Sequence, residues 1–162
     1  MENIYPITLW DFDREALLKE AEDKRDSFKL FEDVETGHKV DWLVLREQEQ
    51  ETLPVLFEEY QRFVWDFGLH DYYSKPRYYI LEAGKKLPTH IDSNTKCSVN
   101  VILNNNHSLI QIEDKIHLYK QALINTQKKH SVDNTNGEDR IIMRISFFDI
   151  SFEKLKKLLT LT

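Results

Sequence analysis

The sequence predicts a mainly β protein with flanking helices, in which two sheets enclose a metal site. Three observations carry this. The second half is built from runs rich in β-branched and aromatic residues bounded by turn formers, the first half holds two stretches with helical spacing, and two histidines and an aspartate stand at strand ends. At 162 residues the chain is long enough to bury a core and has the size of one domain. We divide it into a helix-and-strand support region over 1–75, a metal-binding barrel core over 76–150 and a C-terminal helix over 151–162.

Taken in order, Thr8-Leu9-Trp10 is a short apolar opening, and Asp11 or Asp13 can cap a helix through Glu15–Ala21, which is made of strong helix formers. Val40–Leu45 reads as a strand. Thr52 is placed to cap a second helix with Pro54 inside its first turn, continuing through Leu56, Phe57, Tyr60, Phe63, Val64 and Trp65 at helical spacing. Leu69–Lys75 is expected to be a loop. Strands then follow over Arg77–Leu81, Cys97–Leu103 and Ala122–Thr126, with a turn at Gly84. Asp133–Gly137 ends in Asn-Gly, a hairpin signal, and the next strand begins at Arg140 and runs to Phe148. Phe152–Leu159 is a final helix whose lysines favour its C-terminal dipole and whose apolar residues are expected to pack on the domain or a second copy. The helices are expected to buttress one face of a β-sandwich.

His90-Ile91-Asp92 carries the chemistry. Residues two apart on a strand point to one side, so His90 and Asp92 can share a metal at a strand end. With His130 they make two imidazoles and a carboxylate, the ligand set of non-haem Fe(II) sites that leave one face open. Period two puts Arg140, Ile142, Arg144 and Ser146 on one strand face. A hairpin returning from His130 would set that face beside the metal, where an arginine offers a planar fork to a carboxylate. We favour Arg140 over Arg144 for this, although a register slipped by four residues would exchange them. His38, His70, His107 and His117 have no partner at ligand spacing.

From about Arg77 to Phe148 the chain resembles the 2-oxoglutarate/Fe(II)-dependent oxygenases, and among them the small phage and bacterial members of the aspartyl/asparaginyl β-hydroxylase group. The matching stretches are Pro88–Asp92, Cys97–Asn100, Asn125–Asn134 and Arg140–Ile142. The resemblance implies a double-stranded β-helix, the jelly-roll or cupin-like fold. It makes His90, Asp92 and His130 the iron ligands and Arg140 the partner of the distal carboxylate of 2-oxoglutarate. It places Tyr79 where a hydroxyl often meets that carboxylate, and Asn100 where the animal enzymes carry a second cosubstrate-binding arginine. Those enzymes can lack the carboxylate ligand, which this chain retains in Asp92. The implied activity is a dioxygenase that uses Fe(II), 2-oxoglutarate and O2 to hydroxylate an Asp, Asn or Pro side chain, in a peptide or free, or a related small molecule, with succinate and CO2 as co-products. Asn104–His107 and Trp65–Lys75 are candidate substrate edges. The rival readings are a cupin-like metalloprotein, an isomerase or a 2-oxoglutarate-independent dioxygenase, with no use for Arg140, and a non-catalytic metal-binding module.

Composition narrows the partners. A net charge of −6 opposes a general electrostatic hold on nucleic acid. No apolar run approaches the ~18 residues of a membrane span, and the first residues carry no basic region ahead of an apolar one, so the expectation is a cytoplasmic location. The single cysteine, Cys97, precludes an internal disulfide and reads as a small buried hydrophobe. The oligomeric state is not readable from the sequence.

Overall fold

The computed structural model describes residues 2–32, 39–44, 50–135 and 137–161; of 30–32 and 39–44 it describes the backbone alone. Among the described residues eleven strands form two antiparallel sheets, with the helices on one side. The strands are β1 (Ile4–Pro6), β2 (Lys29–Glu32), β3 (Lys39–Val44), β4 (Ser74–Leu81), β5 (Lys86–His90), β6 (Cys97–Ile102), β7 (Ile110–Ile112), β8 (Lys115–His117), β9 (Gln121–Ile124), β10 (His130–Asp133) and β11 (Arg140–Phe147). The major sheet has the order β1-β9-β6-β11-β4-β3-β2, and the minor one β5-β10-β7-β8. Helices α1 (Arg14–Asp23) and α2 (Pro54–Asp66) lie between β1 and β4 in the chain, and α3 (Phe152–Thr160) closes it.

Strand alternation gives the major sheet two different faces. Tyr78 and Ile80 of β4, Cys97, Val99 and Val101 of β6, and Ile141, Met143, Ile145 and Phe147 of β11 join Leu17, Leu56, Phe63 and Leu155 of the helices in one core. The intervening residues Leu81, Ile102 and Ile142 meet Leu87, Ile110, Ile112 and Val132 of the minor sheet in a second core between the sheets. Burial of both faces removes from water most of what the central strands present, so β6 and β11 are buried along nearly their whole length, polar residues included. α3 puts Phe152, Leu155 and Leu159 into the helix-side core of its own chain.

Of the two cap candidates for α1 the structure uses Asp13, whose carboxylate accepts from the backbone N–H of Ala16 at 3.1 Å. At α2 the expectation fails. The cap position is Leu53, not Thr52, and it makes no side-chain bond to the helix. Instead Glu20 of α1 reaches across, accepting from the N–H groups of Val55 and Leu56 at 2.9 Å each, so one carboxylate satisfies two orphan donors of the neighbouring helix. The Tyr78 hydroxyl donates to the same carboxylate at 2.8 Å. The loop expected over Leu69–Lys75 is shorter, because β4 begins at Ser74. Leu45, His38 and Asn136 of the sequence expectations lie outside the described residues.

The connection after His130 also differs from the expectation. β10 and β11 do not form a hairpin: β10 belongs to the minor sheet and β11 to the major one. The chain has changed sheets between Asp133 and Arg140, so Arg140 and Arg144 face the metal-bearing strand across the interior. Gly84, at φ 78°, makes the corresponding crossing from β4 to β5. Its N–H donates to Asn134 O at 2.7 Å, tying the two crossings together.

Candidate metal centre

His130 is the direct register partner of His90 where β10 runs antiparallel to β5, a pairing of residues forty apart in the chain that places the two rings with centroids 4.2 Å apart. β5 ends at His90, and Asp92 lies just past it in a turn whose backbone is fixed from the other side: the Asp92 N–H donates to Thr126 O at 3.1 Å, and the Gln127 side chain donates to Asp92 O at 3.1 Å. Asp92 Oδ1 therefore stands 3.1 Å from His90 Nε2 and 3.3 Å from His130 Nε2. A metal with ligand bonds of ~2.1 Å separates neighbouring donors by about 3.0–3.4 Å, so the three atoms already have coordination spacing. They form a group able to hold a metal ion.

The tautomers are set from behind. Each ring's Nδ1–H donates to a carbonyl two residues back, His90 to Pro88 O at 2.7 Å and His130 to Lys128 O at 2.8 Å, which leaves both Nε2 atoms to face Asp92. The other carboxylate oxygen, Asp92 Oδ2, is held by Arg144 Nη2. Burial would raise the Asp92 pKa, but the Arg144 charge and the hydrogen bonds from His130 and His90 outweigh it and hold the carboxyl well below the usual range. For His90, burial lowers the pKa, yet the bonds to Asp92 and Pro88 O carry it above the ordinary histidine value. His130 and Asp92 side chains are 6 % and 12 % exposed, whereas His90 is 33 % exposed, so the site is closed on the barrel side and open at His90.

Behind the triad lies a narrow cavity of about 20 Å³, lined among others by His130, Asn100, Arg140 and Arg144. Arg140 is 1 % exposed. Its Nη1 donates to Ser108 O at 3.1 Å and Ser108 Oγ at 2.9 Å, its Nη2 donates to the Tyr119 hydroxyl at 2.7 Å, and the guanidinium lies 5.4 Å from the Tyr119 ring centre. Asn100 Nδ2 donates to the same hydroxyl at 3.3 Å and its Oδ1 accepts from Ser98 at 2.8 Å, so Asn100 belongs to the scaffold that fixes Tyr119. Tyr79 lies under Arg144, its ring centre 5.7 Å from the guanidinium carbon. The Nε atoms of Arg140 and of Arg144 are both buried with no hydrogen-bond partner.

The structure thus brings His90, Asp92, His130, Arg140, Arg144, Tyr79 and Asn100 to one interior. Sequence reasoning missed Ser108 and Tyr119, the two residues that orient Arg140. They lie in segments without clear periodicity, and nothing in their spacing marks them. Asn106, expected near a substrate edge, is buried instead, and donates to Asn134 Oδ1 at 3.0 Å while its own Oδ1 accepts from the Ser108 N–H at 2.8 Å. His107 is exposed and apart from the triad. Cys97 is buried in the helix-side core, where burial pushes its thiol up to about 12. Among the described residues no helix is long and apolar enough to cross a membrane.

No protein-family description and no curated protein sequence matches the chain. Solved structures do match in shape. The prolyl-4-hydroxylase of Pseudomonas putida superposes with a TM-score of 0.55 at 14 % identity over 89 % of each chain. The α-ketoglutarate-dependent non-haem epimerase SnoN of nogalamycin biosynthesis gives 0.60 at 13 % identity over 90 % of this chain and 75 % of its own. The viral collagen prolyl hydroxylase of Paramecium bursaria Chlorella virus-1, solved with 2-oxoglutarate, gives 0.57 at 10 % identity over 91 % and 95 %. At these identities the likeness is one of fold: the chain is a double-stranded β-helix of the kind found in 2-oxoglutarate-dependent hydroxylases and epimerases.

Proposed function

We propose that this protein is an Fe(II)- and 2-oxoglutarate-dependent dioxygenase that hydroxylates an amino-acid side chain, free or in a peptide, or a related small molecule. The observation that carries this reading is the convergence of His90 Nε2, Asp92 Oδ1 and His130 Nε2 at coordination spacing, backed by a cavity lined by Arg140, whose Nε is buried without a hydrogen-bond partner. Two imidazoles and one carboxylate suit Fe(II) and leave coordination positions for a cosubstrate and O2. Bound iron and 2-oxoglutarate would supply the oxidising chemistry, with succinate and CO2 as co-products.

The chain's own residues supply orientation. Asp92 offers Oδ1 to the metal while Arg144 occupies Oδ2, which favours one-oxygen ligation. Arg140, held by Ser108 and Tyr119, keeps its Nε free for the distal carboxylate of 2-oxoglutarate, and Tyr79 stands on the same interior face. An anion at Arg140 satisfies an Nε donor that is otherwise buried and orphaned, a state that costs ~1–3 kcal/mol. The cavity holds about one water, so the cosubstrate must part the apolar side chains of Leu87, Ile110, Ile124 and Val132 that line it. The decisive experiment is succinate formation from 2-oxoglutarate by the Fe(II)-loaded protein with ascorbate. Iron binding without any 2-oxoglutarate turnover or binding would favour the 2-oxoglutarate-independent metalloprotein.

A further inference from the structure

The inner face of the major sheet carries a charge pattern that metal ligation and cosubstrate binding leave unexplained. On β4, Tyr78 and Ile80 point to the helices, and Tyr79 and Leu81 to the space between the sheets, so alternation puts Arg77 and Lys75 on the inner face as well. On β11 the same face holds Arg140 and Arg144. The register sets Arg77 directly opposite Arg144, with Asn100 of β6 on the other flank of Arg144. Side chains so placed start ~4.5–5.5 Å apart, and like charges directly opposite are destabilising.

Among the described residues one carboxylate answers these cations. Asp92 pairs with Arg144, and among the described residues neither Arg77 nor Lys75 has an ion-pair partner. A scarcity of acid does not explain this, since the chain has 28 Asp and Glu against 22 Lys and Arg. Arg144 spends one Nη on Asp92 and keeps a buried, unpartnered Nε. Arg77 is half-buried beside Arg144, so part of it is covered while part stays open to a ligand.

We propose that Arg77 and Arg144 form a carboxylate-binding site beside the metal triad that reads the primary substrate, making this protein selective for acidic substrates. Arg144 then has two tasks, holding Asp92 and completing the substrate site, while Arg77 serves the substrate alone. This rests on the function proposed above in that the anion held here is the substrate's and not the cosubstrate's. The carboxylate can come from a side chain or from the α-position of a free amino acid.

The test uses Mn(II)-loaded protein without oxygen, with and without saturating 2-oxoglutarate. N-acetyl-aspartate α-amide, its neutral counterpart N-acetyl-asparagine α-amide, and N-acetyl-alanine, which carries only an α-carboxylate, are titrated while Mn(II)-induced broadening of their proton signals reports binding near the metal. The wild-type protein should prefer one of the acids over the amide by about tenfold, the loss expected for one charge-assisted pair at a partly exposed site, and the preferred acid identifies the source of the carboxylate. Arg77→Gln should abolish the preference and leave 2-oxoglutarate affinity unchanged, whereas Arg77→Lys should keep part of it. The proposal is overturned if acids and amide bind alike or none binds, if Arg77→Gln keeps the preference, or if its main effect is on 2-oxoglutarate. Absence of 2-oxoglutarate binding by the wild type would instead defeat the dioxygenase reading, and the preference measured with Mn(II) alone would still judge Arg77.

Discussion

Replacing Arg140 by Met removes the guanidinium and keeps an unbranched chain in its place. Two opposing effects act on stability. The variant loses three hydrogen bonds from a charged donor, to Ser108 O, Ser108 Oγ and the Tyr119 hydroxyl, which at about 1.5 kcal/mol each amount to roughly 4–5 kcal/mol. It also relieves the burial of a cation that pairs with no carboxylate among the described residues, an effect of several kcal/mol in the other direction. Ser108 Oγ keeps Asn106, and the Tyr119 hydroxyl keeps Asn100, so neither hydroxyl is stranded. The two effects nearly cancel, and the net change in unfolding free energy should stay within about 2 kcal/mol. Cosubstrate binding has no such offset: loss of a charge-assisted contact at the Arg140 Nε should weaken 2-oxoglutarate about ten- to a hundredfold. Urea denaturation of the metal-free protein and calorimetric titration of 2-oxoglutarate into the Mn(II)-loaded protein measure the two separately. Unaltered 2-oxoglutarate affinity together with a large loss of stability would show that Arg140 is a structural strut and refute the reasoning.

Other outcomes are expected as follows. Zn(II) or Fe(II) should raise the melting temperature by binding the folded state, about 2.7 kcal/mol at a hundredfold excess over Kd; Asp92→Ala should remove this and His107→Ala should not, and equal losses would contradict the ligand assignment. Metal-free stability should fall on both sides of a window of about pH 4–6.5. Below it the depressed Asp92 carboxyl becomes protonated and its contribution goes; above it the raised His90 gives up the proton that ties it to Asp92. Saturating Zn(II) should replace that alkaline decline with a rise, because the metal takes neutral imidazoles, and a decline that persists with Zn(II) would mean that His90 is not a ligand. Glu20→Ala should destabilise by about 2–3 kcal/mol, since it uncaps α2 and removes the carboxylate to which the Tyr78 hydroxyl donates; a loss below half a kcal/mol in urea denaturation would show that water replaces the carboxylate.

What was legible in the sequence was whatever depends on local periodicity. Alternation in β11 set Arg140, Ile142 and Arg144 on one face, and that is the face turned to the interior. The paired spacing of His90 and Asp92 survived even though Asp92 lies past the strand end, because the turn is fixed by Thr126 and Gln127. What depends on long-range pairing was hidden. β7, β8 and β10 are three or four residues long, too short to show a period, and a turn signal such as Asn-Gly does not reveal that the chain is changing sheets. The cap of α2 comes from another helix, so no local motif announces it. The juxtaposition of Arg77 with Arg144 follows only from a register between segments far apart in the chain.

β11 is a central strand, bonded to β4 along one edge and β6 along the other, and it cannot slide. Arg144 touches Asp92 at one point of it, and Arg140 stands four residues away, ~13 Å along the backbone. With the proposed function, the arginine that steadies the metal's carboxylate and the arginine offered to the cosubstrate would stand at a fixed offset on one strand. Neither could shift without carrying the other, so metal and cosubstrate would keep a common frame.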